Sequence, residues 1–530
     1  VAFQGQVVGI TLGTGGQSGS KNQAAVREDQ LLIAENVTFE DNTIRKEGGA
    51  AKYNSTVVSG TPKIIGGHDW DFDGSTRRSV LVTDAGDILR DDGAGDYTAT
   101  TLDTGLNIAT STVPIFVEGG EEVAANNKKL FVFTGRNAVQ VLSGNGASTA
   151  DLATPPADWT GLTQPVFGVL HDDRLWGGGN TNDPHRLYYS DTADHEDFTG
   201  GTSGSLSIFP GQGGRLSWAV SFRGIIIVAK HPQGLYAVDT TDPSVSNWVI
   251  KKLNGAIGSP GPQAFAVVDD DIVFFSSSAA IYSLAAVNKF GDVESDSLTD
   301  EADYDTFLRD NIALDQLRLC RGIYYPAKKE VHFAVSGTGA TTNNRRVVVD
   351  FNRKGLPRFR FSPRDTPVSM WLRTGSDLIE RPALGDDAGF VWDLDQETRS
   401  KDGVGYAATF QTPHLDFTFA DPGLGPVNKN WAWLELAVEP KGNHNLSVDV
   451  FLDDALSETI QFDMGGTGAV LGSFVLGTDV LAGGNLTNKR KLLRGRSRRI
   501  SLKGTNSGAA EDFSVIKFYF GFKVSDTEEL

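Results

Sequence analysis

Residues 223–238 read RGIIIVAKHPQGLYAV: a polar turn, five consecutive apolar residues, a second turn around Pro232 and Gly234, and another apolar run. Both runs are bounded by turn formers and rich in β-branched or aromatic residues, which marks two short strands joined by a tight connection. An alternating strand keeps one face for water. A continuous apolar run such as IIIVA has no solvent face, so the strand it forms must be covered on both sides.

The same pair of runs recurs along the chain. It is RRSVLVTDAGDILR from Arg77, KKLFVFTGRNAVQVL from Lys128, and DRLWGGG with HRLYYS from Asp173. After Arg223 it returns as DDIVFFSSSAAIYSL from Asp270, KEVHFAVSG with RRVVVDF from Lys329, and SDLIERPALGDDAGFVWDL from Ser376. The starts are 51, 45, 50, 47, 59 and 47 residues apart. A period near fifty built from short strands points to an all-β fold, a β-propeller of six or seven blades, with a plain antiparallel sandwich as the alternative. The longest interval holds LTDEADYDTFLRDN, where Tyr304, Phe307 and Leu308 fall at helical spacing after a helix start at Thr299 to Ala302.

The period is lost after residue 405. Long runs follow, among them NWAWLELAVEP, NLSVDVFLDD and SVIKFYFGFKVS, whose alternation predicts half-buried strands of a C-terminal β-sandwich domain over 406–530. Residues 1–27 are rich in Gly, Ser and Gln and read as an extended arm, which leaves 28–405 for the propeller.

Composition narrows the function. Of the 530 residues 39% are hydrophobic and 22% charged, which excludes wholesale disorder, and the net charge of −19 argues against a general nucleic-acid binder. One cysteine, Cys320, permits no disulfide framework or multi-cysteine metal cluster and fits assembly in a reducing compartment. No apolar run is long enough for a membrane-spanning helix, and no basic region precedes an apolar core at the N-terminus, so neither membrane insertion nor export is expected.

Catalytic motifs are missing: there is no G-x-S-x-G elbow, phosphate-binding G-x-x-x-x-G-K-[ST] loop or H-E-x-x-H pair. No cofactor is expected. The only metal candidate is DWDFDG, whose Asp69, Asp71 and Asp73 resemble the start of a calcium loop, although Val80 stands where the closing Glu is due. Acidic turns around Asp172, Asp270 and Asp386 read as turn formers at one place in successive repeats. They are also candidates for an acidic lumen. The basic outlier is KRKLLRGRSRR, in which Lys489, Arg490, Lys491, Arg494, Arg496, Arg498 and Arg499 are candidates for contact with a protein partner or DNA.

Several segments resemble the propeller-bearing tail proteins of short-tailed bacteriophages, the nozzle or packaged-DNA stabilisation proteins. ENVTFEDNTIRKEGG at 35–49 is similar to the family's Asn-Val strand and Arg-x-x-Gly turn. PVFGVLHDDRLWGGG followed by RLYYSDTADHEDF is similar to one blade, and LSWAVSFRGIIIVAKHPQGLYAV and FAVVDDDIVFFSSSAAIYSL to the next two. PVNKNWAWLELAVE resembles the strand that opens the terminal β domain. The resemblance spans about residues 30–440. It implies a non-enzymatic virion protein of the tail, assembled in the host cytoplasm as a ring, usually a hexamer, below the portal and adaptor. Its implied partners are copies of itself, the portal and adaptor ring, tail fibres or spikes, and the genomic DNA that the channel retains and then conducts during ejection. Two other readings fit a propeller: a carbohydrate-binding or glycan-hydrolysing adhesin, for which Trp176, Trp218 and Trp371 offer stacking surfaces, and a cellular scaffold.

Overall fold

Each repeated pair of runs forms the second and third strands of an antiparallel meander. A computed structural model of the chain describes all residues except 1–4, 24, 75, 99, 110, 121–127, 286–296, 353–356, 376, 466–485 and 525–530; Ser376, where the last repeat begins, is among those outside it. Strand makes up 47% of the structure and helix 6%. Blade 1 occupies 64–103, blade 2 115–151, blade 3 167–207 and blade 4 214–254. Blade 5 occupies 265–283, with three strands among the described residues, and blade 7 occupies 369–396 together with 49–52. These six are separate sheets. A further four-stranded meander, blade 6 at 321–362, forms one end of a nine-stranded sheet.

Blade 4 shows why the deciding stretch is apolar throughout. Within the strand Ile225–Pro232, Ile226 and Val228 face a core shared with Trp176, Leu187 and Tyr189 of blade 3. Their neighbours Ile227 and Ala229 face the other way, into a core with Ile272 and Phe274 of blade 5. Period-two geometry thus sends successive side chains into two different interfaces, and both are dry. Each fully buried Ile or Val contributes roughly 1.5–3 kcal/mol from water removal. The pattern repeats around the circle: one separate apolar cluster lies between every pair of adjacent blades, including blade 7 against blade 1 through Trp371, Ile64 and Leu81. Close approach there requires Gly67, since a Cβ on it would lie 2.6 Å from the Trp371 ring.

The chain closes its own ring. Gly49–Lys52 pairs with Val391–Gln396 as the outermost strand of blade 7, so the first propeller strand in sequence completes the last blade. The interval before blade 6 carries the expected helix, Tyr304–Asn311, whose Tyr304 and Leu308 pack into the core between blades 5 and 6. Cys320 is buried in that same core, and burial pushes its thiol pKa up, away from reactivity.

After blade 7 two sheets share one core. One contains Lys429–Val438, Ser514–Val524 and Thr487–Leu492; the other contains Ala408–Gln411, Ile500–Asn506, Asn445–Leu452 and Ala455–Asp463. Leu434, Leu436, Phe518 and Phe520 from the first meet Phe410, Val448, Val450 and Leu502 from the second.

The boundaries drawn from sequence need correction. Gln6–Thr11, inside the expected arm, is a strand paired with Ser514–Val524, in register from Gln6 opposite Phe522 to Thr11 opposite Lys517. Residues 33–46, assigned to the propeller, also belong with the terminal sheets: Val37–Thr38 and Ile44–Lys46 extend the first of them. Ile33–Glu35 pairs on one side with Ala408–Gln411 and on the other with Arg358–Ser362 of blade 6, and so joins the two units into the nine-stranded sheet. These segments are two to six residues long, too short to show periodicity, and only their distant partners make them strands.

Candidate functional site

The innermost strands of all seven blades surround one axial cavity of about 620 Å³. Its wall is mostly apolar, from Phe116, Val169, Val220, Phe265 and Trp371. Polar groups gather at the rim where the first and second strands of each blade turn. There His68 Nε2 lies 2.7 Å from Glu118 Oε1, with the His68 ring stacked on Phe116. The Tyr324 hydroxyl donates to Asp269 at 3.3 Å. Such a volume suits a small ligand.

None of the acidic-lumen candidates Asp172, Asp270 and Asp386 lines this axial cavity. Asp172 turns the first hairpin of blade 3 with φ 47°, accepts from the Thr240 hydroxyl at 2.5 Å, and lies 3.1 Å from His171 Nε2. Burial lowers the pKa of His171 and the Asp172 charge opposes this only in part. Asp270 turns the equivalent hairpin of blade 5, is 93% exposed, and pairs across the blade boundary with Arg223 at 3.3 Å. Asp386 sits at the other rim, between the second and third strands of blade 7. It is buried and accepts from the backbone N–H groups of Ala388 and Phe390 and from Trp392 Nε1. The first two aspartates hold one hairpin position and the third another, because a short carboxylate closes either kind of turn.

The three calcium candidates are engaged by other groups. Asp69 pairs with Arg77 at 3.2 Å and accepts from the Thr374 N–H at 3.0 Å. Asp71 faces Arg77 across the hairpin at 3.7 Å and caps the turn at Gly74, while Asp73 accepts from the Thr76 N–H. Arginine and turn amides occupy these carboxylates. Among the described residues no group of three or more His, Cys, Asp or Glu side chains is placed to hold a metal.

The basic segment divides into paired and unpaired cations. Arg490 bonds Glu435 at 2.5 Å and covers the Trp433 ring at 4.0 Å. Lys489 reaches Asp463 at 3.5 Å and Arg499 reaches Asp454 at 2.9 Å. Lys491, Arg494, Arg496 and Arg498 are exposed, and none forms an ion pair with a described residue. They lie on or beside Thr487–Leu492, an edge strand of its sheet, next to Leu492, which is 72% exposed. Of the three tryptophans offered for sugar stacking, Trp176 and Trp218 are wholly buried between blades, and only Trp371 reaches the cavity wall.

The largest cluster of charge was not foreseen. Glu47 accepts from Arg346 at 2.8 Å, Arg360 at 2.6 Å and the Ser362 hydroxyl at 2.7 Å. Arg360 also bonds Glu330 at 2.6 Å, Arg346 bonds Asp365 at 2.7 Å, and Glu330 lies 2.9 Å from His332 Nε2. Burial alone would raise the Glu47 carboxyl, but the Arg346, Arg360 and Arg364 guanidiniums override it and hold its pKa well below the usual range. Glu330 is held low mainly by Arg360 against the same burial. The visible signal was RFRFS at 358–362, whose alternation suggests solvated arginines, yet Arg358 and Arg360 are both buried. The cluster encloses only about 10 Å³, too little for a substrate. It fastens blade 6 to the residues that lead from the terminal sheets into blade 7.

No family model matches the chain, and no curated protein matches it. Solved structures that share part of the arrangement include BBS1N in complex with ARL6DN, at 12% identity over 68% of this chain and 98% of that one, with a TM-score of 0.41. YCF48 from Cyanidioschyzon merolae matches at 10% identity over 65% of this chain and 98% of its own, with a TM-score of 0.38. The computationally designed Ika8 protein matches at 9% identity over 73% and 98%, with a TM-score of 0.36. Likenesses this distant carry no function, and the propeller itself is read from the strand order and the cores between blades.

Proposed function

We propose that the chain is a non-enzymatic structural protein of a short-tailed phage virion, one subunit of a ring-shaped tail nozzle that retains packaged DNA and serves as its exit conduit. The observation that carries this reading is the exposed, unpaired basic edge Lys491, Arg494, Arg496 and Arg498 beside exposed Leu492, in a chain of net charge −19. Free cations beside an apolar residue on an open sheet edge suit an acidic protein surface. The resemblance over residues 30–440, which does not include this edge, implies neighbouring copies, the adaptor ring and fibres as partners. The non-enzymatic part is supported by the buried charge cluster around Glu47, which encloses only about 10 Å³, and by the aspartates Asp172 and Asp386, which are engaged in turns. Negative-stain microscopy of the purified chain, with and without its virion neighbours, tests the reading. A ring with an open pore is expected, and a persistent monomer in both samples overturns it.

The axial cavity favours a second reading, carbohydrate binding, because Trp371 and Phe116 flank the His68 and Glu118 pair. A glycan array separates the two: specific sugar capture abolished by Trp371→Ala supports the adhesin.

A further inference from the structure

We infer that a pocket at the opposite rim of the propeller axis binds a phosphate-type oxyanion through Arg136, Arg215 and Arg318. The pocket measures about 210 Å³, small for a drug-sized ligand and suited to a compact anion. Its arginines come from three distant parts of the chain: the turn between the second and third strands of blade 2, the first strand of blade 4, and the short helix Leu314–Leu319 that leads into blade 6. No Asp or Glu lines it, and none of the three arginines forms an ion pair with a described residue. Arg136 is oriented by Asn107, donating to its carbonyl at 3.1 Å and to its side-chain Oδ1 at 3.2 Å, which leaves its charge uncompensated. The field of Arg215 is felt at His231, where it adds to burial in lowering the imidazole pKa.

A second, independent observation lies in the same wall. Ser217 is 3% exposed and its Oγ has no hydrogen-bond partner among the described residues. It is the extra residue of a bulge in Gly214–Phe222, where the register with Ile225–Pro232 slips between Leu216 and Trp218. The bulge lets Leu216 enter the core toward blade 3 and Trp218 the core toward blade 5, and it leaves the hydroxyl between them on the pocket wall. A buried hydroxyl without a partner is costly unless something supplies one. Thr134 and Thr181 add two more hydroxyls to the lining. Arg136, half-buried, and Arg215 and Arg318, both exposed, line with three hydroxyls one small space that has no carboxylate, and guanidinium with hydroxyl is the chemistry that recognises phosphate. The ligand is a free phosphate or phosphomonoester, or a phosphodiester of a nucleic-acid strand laid across the rim. The site does not depend on the ring assembly.

Isothermal titration of the full chain with inorganic phosphate at low ionic strength tests the inference. One saturable site per chain is expected, weakened at least about 100-fold in R136Q/R215Q/R318Q and several-fold in Ser217→Ala, with far-ultraviolet circular dichroism unchanged. Competition by hexathymidylate without terminal phosphates assigns the source to phosphodiesters; failure to compete assigns it to free phosphate or monoesters. Absence of phosphate binding to the unaltered chain overturns the inference. So does binding that survives the triple substitution, or that is lost instead in R494Q/R496Q/R498Q.

Discussion

Arg360 Nη1 donates to Glu47 Oε1 at 2.6 Å across 313 residues of sequence, and both side chains are buried. The pair joins blade 6 to the segment that has just left the terminal sheets, so the two units share a charge as well as a sheet. Removing one partner of such a buried pair leaves the other uncompensated, which costs about 3–5 kcal/mol. Arg360→Met removes one cationic partner from both Glu47, which keeps Arg346, and Glu330, which keeps His332. It is expected to lower unfolding stability by up to about that amount in urea titrations, and a loss below about 1 kcal/mol would show that the cluster is not the fastening described.

The same cluster sets the response to acid. Glu47 and Glu330 have folded pKa values lowered from the ordinary carboxylate value, so they bind protons more readily when unfolded. Their stabilisation is fully present above ~4.3, the unfolded value, and is lost as pH falls through the folded values. His332 is also lowered, by burial first, and contributes in the same direction from about pH 6.5 downward. Unfolding free energy measured from pH 7 to 3 should fall, with a shallower slope in Glu47→Gln.

Blade 7 and blade 1 meet through Gly67 and Trp371. Gly67→Val forces a side chain into the Trp371 ring and should cost about 1–3 kcal/mol, the usual range for overpacking. Adding Trp371→Leu should recover part of the loss in thermal unfolding. No recovery would place the strain elsewhere in the blade.

The basic edge should separate assembly from stability. Charge reversal at Arg494, Arg496 and Arg498 changes exposed side chains and should move stability by less than about 0.5 kcal/mol. Incorporation into virions or retention of DNA is expected to fall in the same variant. Normal assembly, retention and ejection would reduce this edge to a solvated surface. Arg490→Ala is the contrast, since its packing on Trp433 and bond to Glu435 tie it to the fold.

The N-terminal strand carries a fifth expectation. Gln6–Thr11 buries Ile10 against the terminal core and pairs along the outer edge of Ser514–Val524. Deleting residues 1–12 should therefore lower the melting temperature of the chain itself. Unchanged melting with impaired assembly would restore the free arm that the composition suggested.

Sequence alone determined the repeating unit. Blade strands pair with their immediate neighbours, and coverage on both faces writes itself into runs such as IIIVA and KLFVF, so the seven strand pairs were legible one by one. The helix at Tyr304 was legible for the same reason, because its spacing is local. Tertiary structure decided whatever depended on a distant partner. Gly49–Lys52 closes blade 7 only because Val391–Gln396 offers an open edge, and Asp172 and Asp386 lie at opposite rims although both read as acidic turns. Arg358 and Arg360 alternate with phenylalanine as a solvated strand would, yet the neighbouring sheet and Glu47, Glu330 and Asp350 draw them inside. Arg136, Arg215 and Arg318 carry no motif at all and line one pocket only because blades 2 and 4 and the short helix before blade 6 converge there. Local hydrogen bonding and solvent exclusion leave a periodic trace in the chain, whereas charge compensation and ring closure depend on which surfaces meet.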